Sequence, residues 1–166
     1  MADGASLENS GKIVCSGQFA DFAQGGIFGR IAMEGAYNGI NVGDIEYTGT
    51  QAAGSTSYAV SVGGFTGLNT APFSGATVYC SILSDLNSGV GFVTGSARTS
   101  TNLATDCKIG GTFLSDYNTE DETYKTTNLS SFNYSNYIYG SGESTDWTGT
   151  DNYDGCTFIS TKPVVE

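Results

Sequence analysis

The sequence predicts an all-β protein built as a parallel β-helix, a solenoid of about four to five short coils in a single domain. Three observations predict this fold: an excess of glycine, a shortage of charged residues, and two kinds of short motif that recur at matching intervals. A β-sandwich is the alternative architecture, because the same composition suits two packed sheets.

The composition favours short strands separated by sharp corners. Glycine contributes 24 of 166 residues, about twice its usual share, and charged residues make up only 14%. Aromatic residues stand at 12%, so the chain can bury a core and differs from a disordered polar linker. Many glycines combined with β-branched and aromatic residues are typical of all-β proteins.

Two motifs recur together along the chain. The first is an apolar pair between glycines, and it ends at Gly29, Gly67 and Gly95. The second places an aliphatic residue two positions after Gly43, Cys80 and Cys107. Each step of the second motif matches the corresponding step of the first to within one position. Because both landmarks advance together, each interval predicts one coil, and equivalent residues stack about 4.8 Å apart in neighbouring coils.

Stacking predicts columns of core residues, with Cys80 over Cys107 as the clearest pair. Phe28, Phe65 and Val93 form one expected inward set. The glycines are expected at corners, where a positive φ costs them nothing. The expected core ladder consists of Cys15, Cys80, Cys107 and Cys156 together with Ile45, Ile82, Ile109 and Phe158.

The same repeat pattern divides the domain, which spans residues 1–166. Residues 1–12 are predicted as an N-terminal cap and residues 13–114 as the regular coils. The long interval between Cys107 and Cys156 predicts an insertion at 115–136. Residues 137–166 then form the last coil and the C-terminal cap, because both ends of a short solenoid need covering.

The motif-bearing segments resemble the GLUG repeat of surface proteins from gut Bacteroidales. The resemblance rests on GGIFGRI, VGGFTGL and GVGFVTG, each followed by a strand with Cys or Gly, and on the ending NYIYGSG…GCTFIS. It covers about residues 13–160. It implies a right-handed β-helical array in an extracellular, adhesin-like protein, and it carries no catalytic residues.

The cysteines leave three interpretations open. Buried thiols suit the repeated position, because cysteine packs as a small apolar side chain. A disulfide between Cys80 and Cys107 is the second interpretation, since stacked positions lie within disulfide range. A zinc site made of four distant thiolates is the third, in a chain without histidine or C-x-x-C.

Charge and residue content restrict the function classes. The net charge of −11, with the six basic residues scattered singly, argues against nucleic acid as a partner. No apolar stretch is long enough to insert into a membrane. The absence of histidine excludes Ser-His-Asp and Cys-His catalysis. The N-terminus has no signal-peptide pattern, which leaves export by another route, loss of a leader or a phage particle as expectations.

An acidic run in the expected insertion offers alternating oxygen ligands, Asp116, Asn118, Glu120 and Glu122. Such a set could bind calcium, and the alternatives are a solvated loop or a glycosidase carboxylate pair. No other cofactor is expected.

Aromatic residues concentrate towards the C-terminus, among them Tyr117, Tyr124, Tyr134 and Trp147. Rings with polar edges could contact a glycan or cover an open coil end.

Three functions are compatible with these patterns. The first is a non-catalytic, surface-displayed binding or adhesion module for glycan or host protein. The second is a structural coil stack in a longer stalk, a filament or a phage particle, with end-to-end self-association through exposed strand edges. The third is a polysaccharide-active β-helix enzyme, which the missing histidine and the sparse basic residues disfavour.

Overall fold

Short β-strands form all the regular structure in the described part of the chain. The computed structural model describes residues 6–19, 22–51, 60–84, 90–97, 104–118, 123–128, 139–142 and 155–165, and it contains no helix there, hence none that could cross a membrane. The all-β prediction is therefore confirmed. The strands are β1 (Leu7–Asn9), β2 (Ile13–Cys15), β3 (Gln18–Phe19), β4 (Phe22–Gly25), β5 (Phe28–Ile31), β6 (Gly35–Ala36), β7 (Gly39–Asn41), β8 (Ile45–Tyr47), β9 (Thr50–Gln51), β10 (Val60–Gly63), β11 (Thr66–Asn69), β12 (Phe73–Ser74), β13 (Thr77–Ser84), β14 (Val90–Gly91), β15 (Thr94–Ala97), β16 (Ala104–Thr105), β17 (Lys108–Asn118), β18 (Thr123–Asn128), β19 (Tyr139–Gly142) and β20 (Thr157–Phe158).

Parallel pairing joins most of these strands to strands far away in sequence. Three sheets have the orders β4-β10-β14, β5-β11-β15-β19 and β6-β12-β16. A fourth sheet pairs β13 with β7 and β8 on one side and with β17 on the other, and β17 also pairs with β20. Between residues 22 and 118 the chain visits these four sheets three times in the same order. Strands β1 and β2 extend the fourth sheet beyond β7 and β8, so the segment predicted as an N-terminal cap contributes strand β1.

The register of the glycine motifs agrees with the predicted steps. Thr66 pairs with Phe28 in the preceding circuit and with Thr94 in the following one, the same intervals that separate Gly29, Gly67 and Gly95. The expected set of Phe28, Phe65 and Val93 is one residue out at Phe28, which lies opposite Thr66. The two phenylalanine rings still meet edge to face, with centroids 5.5 Å apart.

The predicted stacking of Cys80 over Cys107 is wrong. Cys80 lies opposite Gly111, and Cys107 lies beside Ala76, whose carbonyl accepts the Lys108 N–H over 2.8 Å. Asn69 pairs with Ala97 at the same sequence interval that separates Gly67 from Gly95. The partners of the next pair, Phe73 and Ala104, are separated by three more residues. Three extra residues between Ala97 and Ala104 therefore displace everything downstream.

The expected ladder divides into separate columns. Ile82 pairs with Ile45, whereas Ile109 lies between Val78 and Phe158. Cys15 lies opposite Tyr47, so the four cysteines do not share one position. The partner of Cys80 is Gly111, four positions beyond the predicted partner Cys107, and a slip by an even number keeps every side chain on its original face because strand side chains alternate with a period of two. The ladder residues Ile45, Cys80, Ile82, Cys107 and Ile109 all remain buried.

Aromatic rings fill the core between the sheets. Phe65 stacks on Phe73 at 5.9 Å, and Tyr37 meets Phe73 edge to face at 6.3 Å. A second group joins Phe22 to Phe19 at 4.5 Å and to Tyr47 at 5.9 Å. Offset and edge contacts of this kind add to the hydrophobic gain from burying the rings.

One antiparallel pair interrupts the parallel pattern. Strand β17 runs on beyond its parallel partner and pairs with β18, with Leu114 opposite Thr126 and an irregularity between Ser115 and Asn118. This pair falls largely within residues 115–136, the stretch predicted as an insertion.

Candidate functional site

The predicted ligand and calcium residues fall mostly at the antiparallel pair. Asp116, Tyr117 and Asn118 belong to β17, and Tyr124 belongs to β18. Outside the described residues lie Glu120, Glu122, Tyr134 and Trp147. The backbone thus brings part of both predicted sets to two adjacent strands, where Asn118 pairs with Thr123.

A groove of about 520 Å³ lies elsewhere, across the ends of β6, β12 and β16. Each strand and its flanking residues contribute two or three consecutive positions to it. The lining residues are Glu34, Gly35, Ala36, Pro72, Phe73, Ser74, Thr105 and Asp106. We call this feature the acidic groove, because Glu34 and Asp106 are its charged residues.

Strand pairing builds the floor of the acidic groove. Ser74 lies opposite both Ala36 and Thr105 in the three-stranded parallel sheet. The Tyr37 N–H donates to the Ser74 carbonyl over 2.8 Å, and the Gly75 N–H donates to the Thr105 carbonyl over 3.1 Å. Phe73 is 2% exposed, and its ring is held between Tyr37 and Phe65, so the floor is backed by the core. The groove therefore has a rigid base.

Asp106 closes one side of the acidic groove in an uncommon conformation. Its φ is 52°, the only positive value at a non-glycine residue in the described chain, and the residue is exposed. Asp is one of the few residues that adopt this region readily. Gly155, itself at φ 69°, lies so close that a side chain there would overlap the Asp106 carboxylate. The C-terminal segment thus abuts the groove at Asp106.

Sequence reasoning did not find the acidic groove. Glu34 and Asp106 are single acidic residues far apart in the chain, and no sequence pattern joins the two. The detectable signal was their position relative to the repeat, because Gly35 and Ala104 both align with Phe73. Aligning the two acidic residues through the repeat requires the three-residue displacement after Ala97, which the motifs alone do not show.

The groove combines acceptors with hydroxyl groups. Carboxylates accept strong hydrogen bonds from ligand hydroxyls, and Ser74 and Thr105 can donate and accept. No Lys or Arg lies among the lining residues, so the groove does not suit an anionic ligand. Its chemistry fits a neutral polyhydroxylated molecule.

Comparisons with known proteins give no match for this chain. This holds for protein-family models, for curated proteins and for solved structures.

The four cysteines are not grouped as a metal centre. In the part of the chain that the structure describes, which includes all four cysteines, no three His, Cys, Asp or Glu side chains are placed to hold a metal ion. The arrangement does not match the four-thiolate zinc alternative, and all four cysteines are present as thiols, without a Cys80–Cys107 disulfide. Burial raises the pKa of the Cys80 thiol to about 12, with a further contribution from the nearby Asp44 charge.

Cys107 and Cys156 occupy neighbouring positions on adjacent strands. Lys108 pairs with Thr157, and the Thr157 N–H donates to the Cys107 carbonyl over 2.8 Å. The Cys107 thiol donates to the Thr105 carbonyl at 3.3 Å, and the Cys156 thiol donates to the Ala104 carbonyl at 3.5 Å. A side-chain hydrogen bond with Cys156, together with burial, holds the pKa of Cys107 well above its ordinary value.

Proposed function

We propose that this chain is a right-handed parallel β-solenoid, related to the GLUG-repeat surface proteins and displayed outside the cell. In this proposal it acts as a non-catalytic binding module, and the acidic groove holds a neutral glycan. The observation that carries the proposal is the open groove with two carboxylates and two hydroxyls on a floor of three parallel strands.

The order of the strands supports the solenoid. Successive circuits visit four sheets in the same sequence, and the first two full circuits pair in parallel with their equivalents one circuit later. A β-sandwich of the immunoglobulin type is built from antiparallel strands, so parallel pairing argues against that alternative. The glycine motifs stack in register at Phe28, Thr66 and Thr94, which supports a common repeat.

The preference for a neutral glycan follows from charge. The chain carries −11, and the groove adds carboxylates without a lining cation, so acidic polysaccharides are repelled. Sugar hydroxyls can donate to Glu34 and Asp106 while accepting from Ser74 or Thr105. Hydrogen bonds to a charged partner contribute about 1.5–3 kcal/mol each, so each carboxylate accounts for roughly a 10- to 100-fold change in affinity.

The test is a glycan binding screen on the intact chain, with neutral and acidic oligosaccharides and mucin, with and without calcium. The substitutions Glu34→Gln and Asp106→Asn remove the charges and keep the shapes, and Asn tolerates the backbone conformation at 106. We expect each to weaken neutral glycan binding about tenfold or more. Glu8→Gln, at an exposed carboxylate on β1, is the matched control and leaves binding unchanged.

Two outcomes contradict the proposal. Absence of neutral glycan binding, or unchanged binding in both groove variants, removes the groove as the site. Release of reducing sugar from a bound oligosaccharide contradicts the non-catalytic part and favours the enzyme alternative.

A structural role is the second candidate, and the open edge of the first full circuit favours it. Strands β4, β5 and β6 pair on one side only, with β10, β11 and β12, within the described residues. Unpaired strand edges can accept further strands, as in a longer stalk or filament. Light scattering across a wide concentration range tests this role, and a strict monomer throughout contradicts end-to-end stacking.

A further inference from the structure

We propose that Cys107 and Cys156 form a disulfide in the presence of a low-molecular-weight disulfide, and that this bond fastens β20 to β17. This inference goes beyond glycan binding and does not depend on it. It concerns a covalent modification site at the C-terminal end of the strand stack.

Backbone geometry places the two residues side by side. Lys108 with Thr157 and Ile109 with Phe158 form consecutive parallel pairs, so the preceding residues Cys107 and Cys156 are also opposite each other. Adjacent strands lie about 4.8 Å apart, within the Cα separation of about 4.4–6.8 Å that disulfides require. The Cys107 sulfur lies 3.3 Å from the Thr105 carbonyl oxygen and the Cys156 sulfur lies 3.5 Å from the Ala104 carbonyl oxygen, so both sulfurs lie beside the same short strand β16.

The same geometry excludes the other cysteine pairs. Cys80 is opposite Gly111, four residues beyond Cys107, a displacement of about 13 Å along the strand. Cys15 lies opposite Tyr47 in the first circuits. Cys107 with Cys156 is therefore the pair able to close without moving the backbone.

The exchange reaction has a defined order because the two thiols differ in exposure. Cys156 is partly exposed, whereas Cys107 is fully buried. The Cys156 thiolate attacks the small disulfide, which releases one small thiol and leaves a mixed disulfide on Cys156. The Cys107 sulfur, on losing its proton, attacks the Cys156 sulfur and releases the second small thiol. The small disulfide is reduced to two thiols, and the two cysteines are oxidised to one disulfide.

The expected effect is a clamp on the C-terminal region. The bond closes a loop of roughly fifty residues, which restricts the unfolded chain and raises Tm by about 5–10 °C in a protein of this size. In sequence, the loop encloses the C-terminal aromatic residues Tyr117, Tyr124, Tyr134 and Trp147. Gly155 and Asp106 directly precede the two cysteines, so the bond also ties the segment that abuts the acidic groove.

The experiment treats the intact chain with oxidised glutathione at mildly alkaline pH and then maps peptides by mass spectrometry without reduction. We expect the loss of two hydrogen atoms, one peptide pair joined through Cys107 and Cys156, and a rise in Tm that dithiothreitol reverses. Cys156→Ser keeps a donor for the Ala104 carbonyl and abolishes the cross-link. Cys80→Ala is the matched control and leaves the cross-link intact.

Three results overturn the proposal: a cross-link through Cys15 or Cys80, glutathione on Cys156 while Cys107 remains a thiol, or oxidation without a rise in Tm. The peptide map of the wild-type chain decides the pairing even if the serine variant fails to fold. None of these readouts involves a glycan, so failure here is distinguishable from failure of the proposed function.

Discussion

Asn9 donates its side-chain amide to the side-chain oxygen of Asn41 over 2.8 Å, from one circuit of the chain to the next. Asn41 in turn donates its side-chain amide to the Gly64 carbonyl over 2.7 Å, and its side-chain oxygen also accepts the Gly43 N–H. Asn41 is 0% exposed, so these bonds replace all of its contact with water. The amide therefore joins three successive circuits inside the protein.

Asn41→Ala should lower the free energy of unfolding by about 2–4 kcal/mol, because it leaves the Gly64 carbonyl and the Gly43 N–H without this buried partner. Urea denaturation measures the change. Asn38→Ala is the matched control at an exposed position and should change stability by less than about 0.5 kcal/mol. Equal effects of the two substitutions would contradict the role assigned to Asn41.

Gly63→Ala should destabilise the fold by more than about 3 kcal/mol. A Cβ at Gly63 would overlap the Thr66 carbonyl oxygen and lie 2.6 Å from the Gly95 nitrogen, and both contacts are to backbone. At Gly29 the nearest atom to an added Cβ is the Ala23 oxygen at 3.3 Å, so Gly29→Ala is the control with a smaller cost. Thermal unfolding followed by circular dichroism compares them, and a Tm for Gly63→Ala at or above that of Gly29→Ala would refute the assignment.

Ile82→Ala should cost about 2–5 kcal/mol, because it removes a fully buried side chain beside Ile45 and leaves a cavity. Val14, which is 58% exposed, supplies the comparison, and Val14→Ala should cost less than about 1 kcal/mol. Chemical denaturation of both variants tests which residues of the strands pack into the core. A small effect at Ile82 would mean that this position does not face the core.

The contribution of Cys80 to stability should fall as pH rises above 9. Its folded pKa is raised from 9.0 to about 12, so between these values the unfolded chain loses the thiol proton while the folded chain keeps it. Fewer protons in the unfolded state mean that the free energy of unfolding decreases with pH, by about 1.4 kcal/mol per unit for this group. Below pH 9 the thiol is protonated in both states and the full contribution is present.

Comparison with Cys80→Ala isolates that effect. The stability advantage of the wild type over Cys80→Ala should shrink steadily from pH 9 towards pH 11, measured by denaturation at each pH. Ser81→Ala, on the same strand but without a thiol, should differ from the wild type by an amount independent of pH. A constant advantage of Cys80 over this range would show that its thiol ionises normally in the folded protein.

The amino-acid sequence by itself determined the all-β class and the positions of the glycine motifs. The steps between Gly29, Gly67 and Gly95 agree with the pairing of Thr66 with Phe28 and Thr94, because Gly67 and Gly95 lie against a neighbouring backbone and cannot slip without a clash. No comparable steric clash fixed the register of the predicted cysteine and isoleucine columns. Strand side chains alternate with a period of two, so a slip of four positions leaves the same residues buried, and a sequence pattern cannot detect it.

The tertiary structure decided which distant residues become neighbours after that slip in register. The three extra residues after Ala97 place Cys107 beside Ala76, which separates it from Cys80, and strand pairing with β20 brings Cys156 opposite it. The same displacement sets Thr105 beside Ser74 and so forms the acidic groove between Glu34 and Asp106. Which residues face inward follows from local alternation, but which distant residues become neighbours depends on the length of every corner between them.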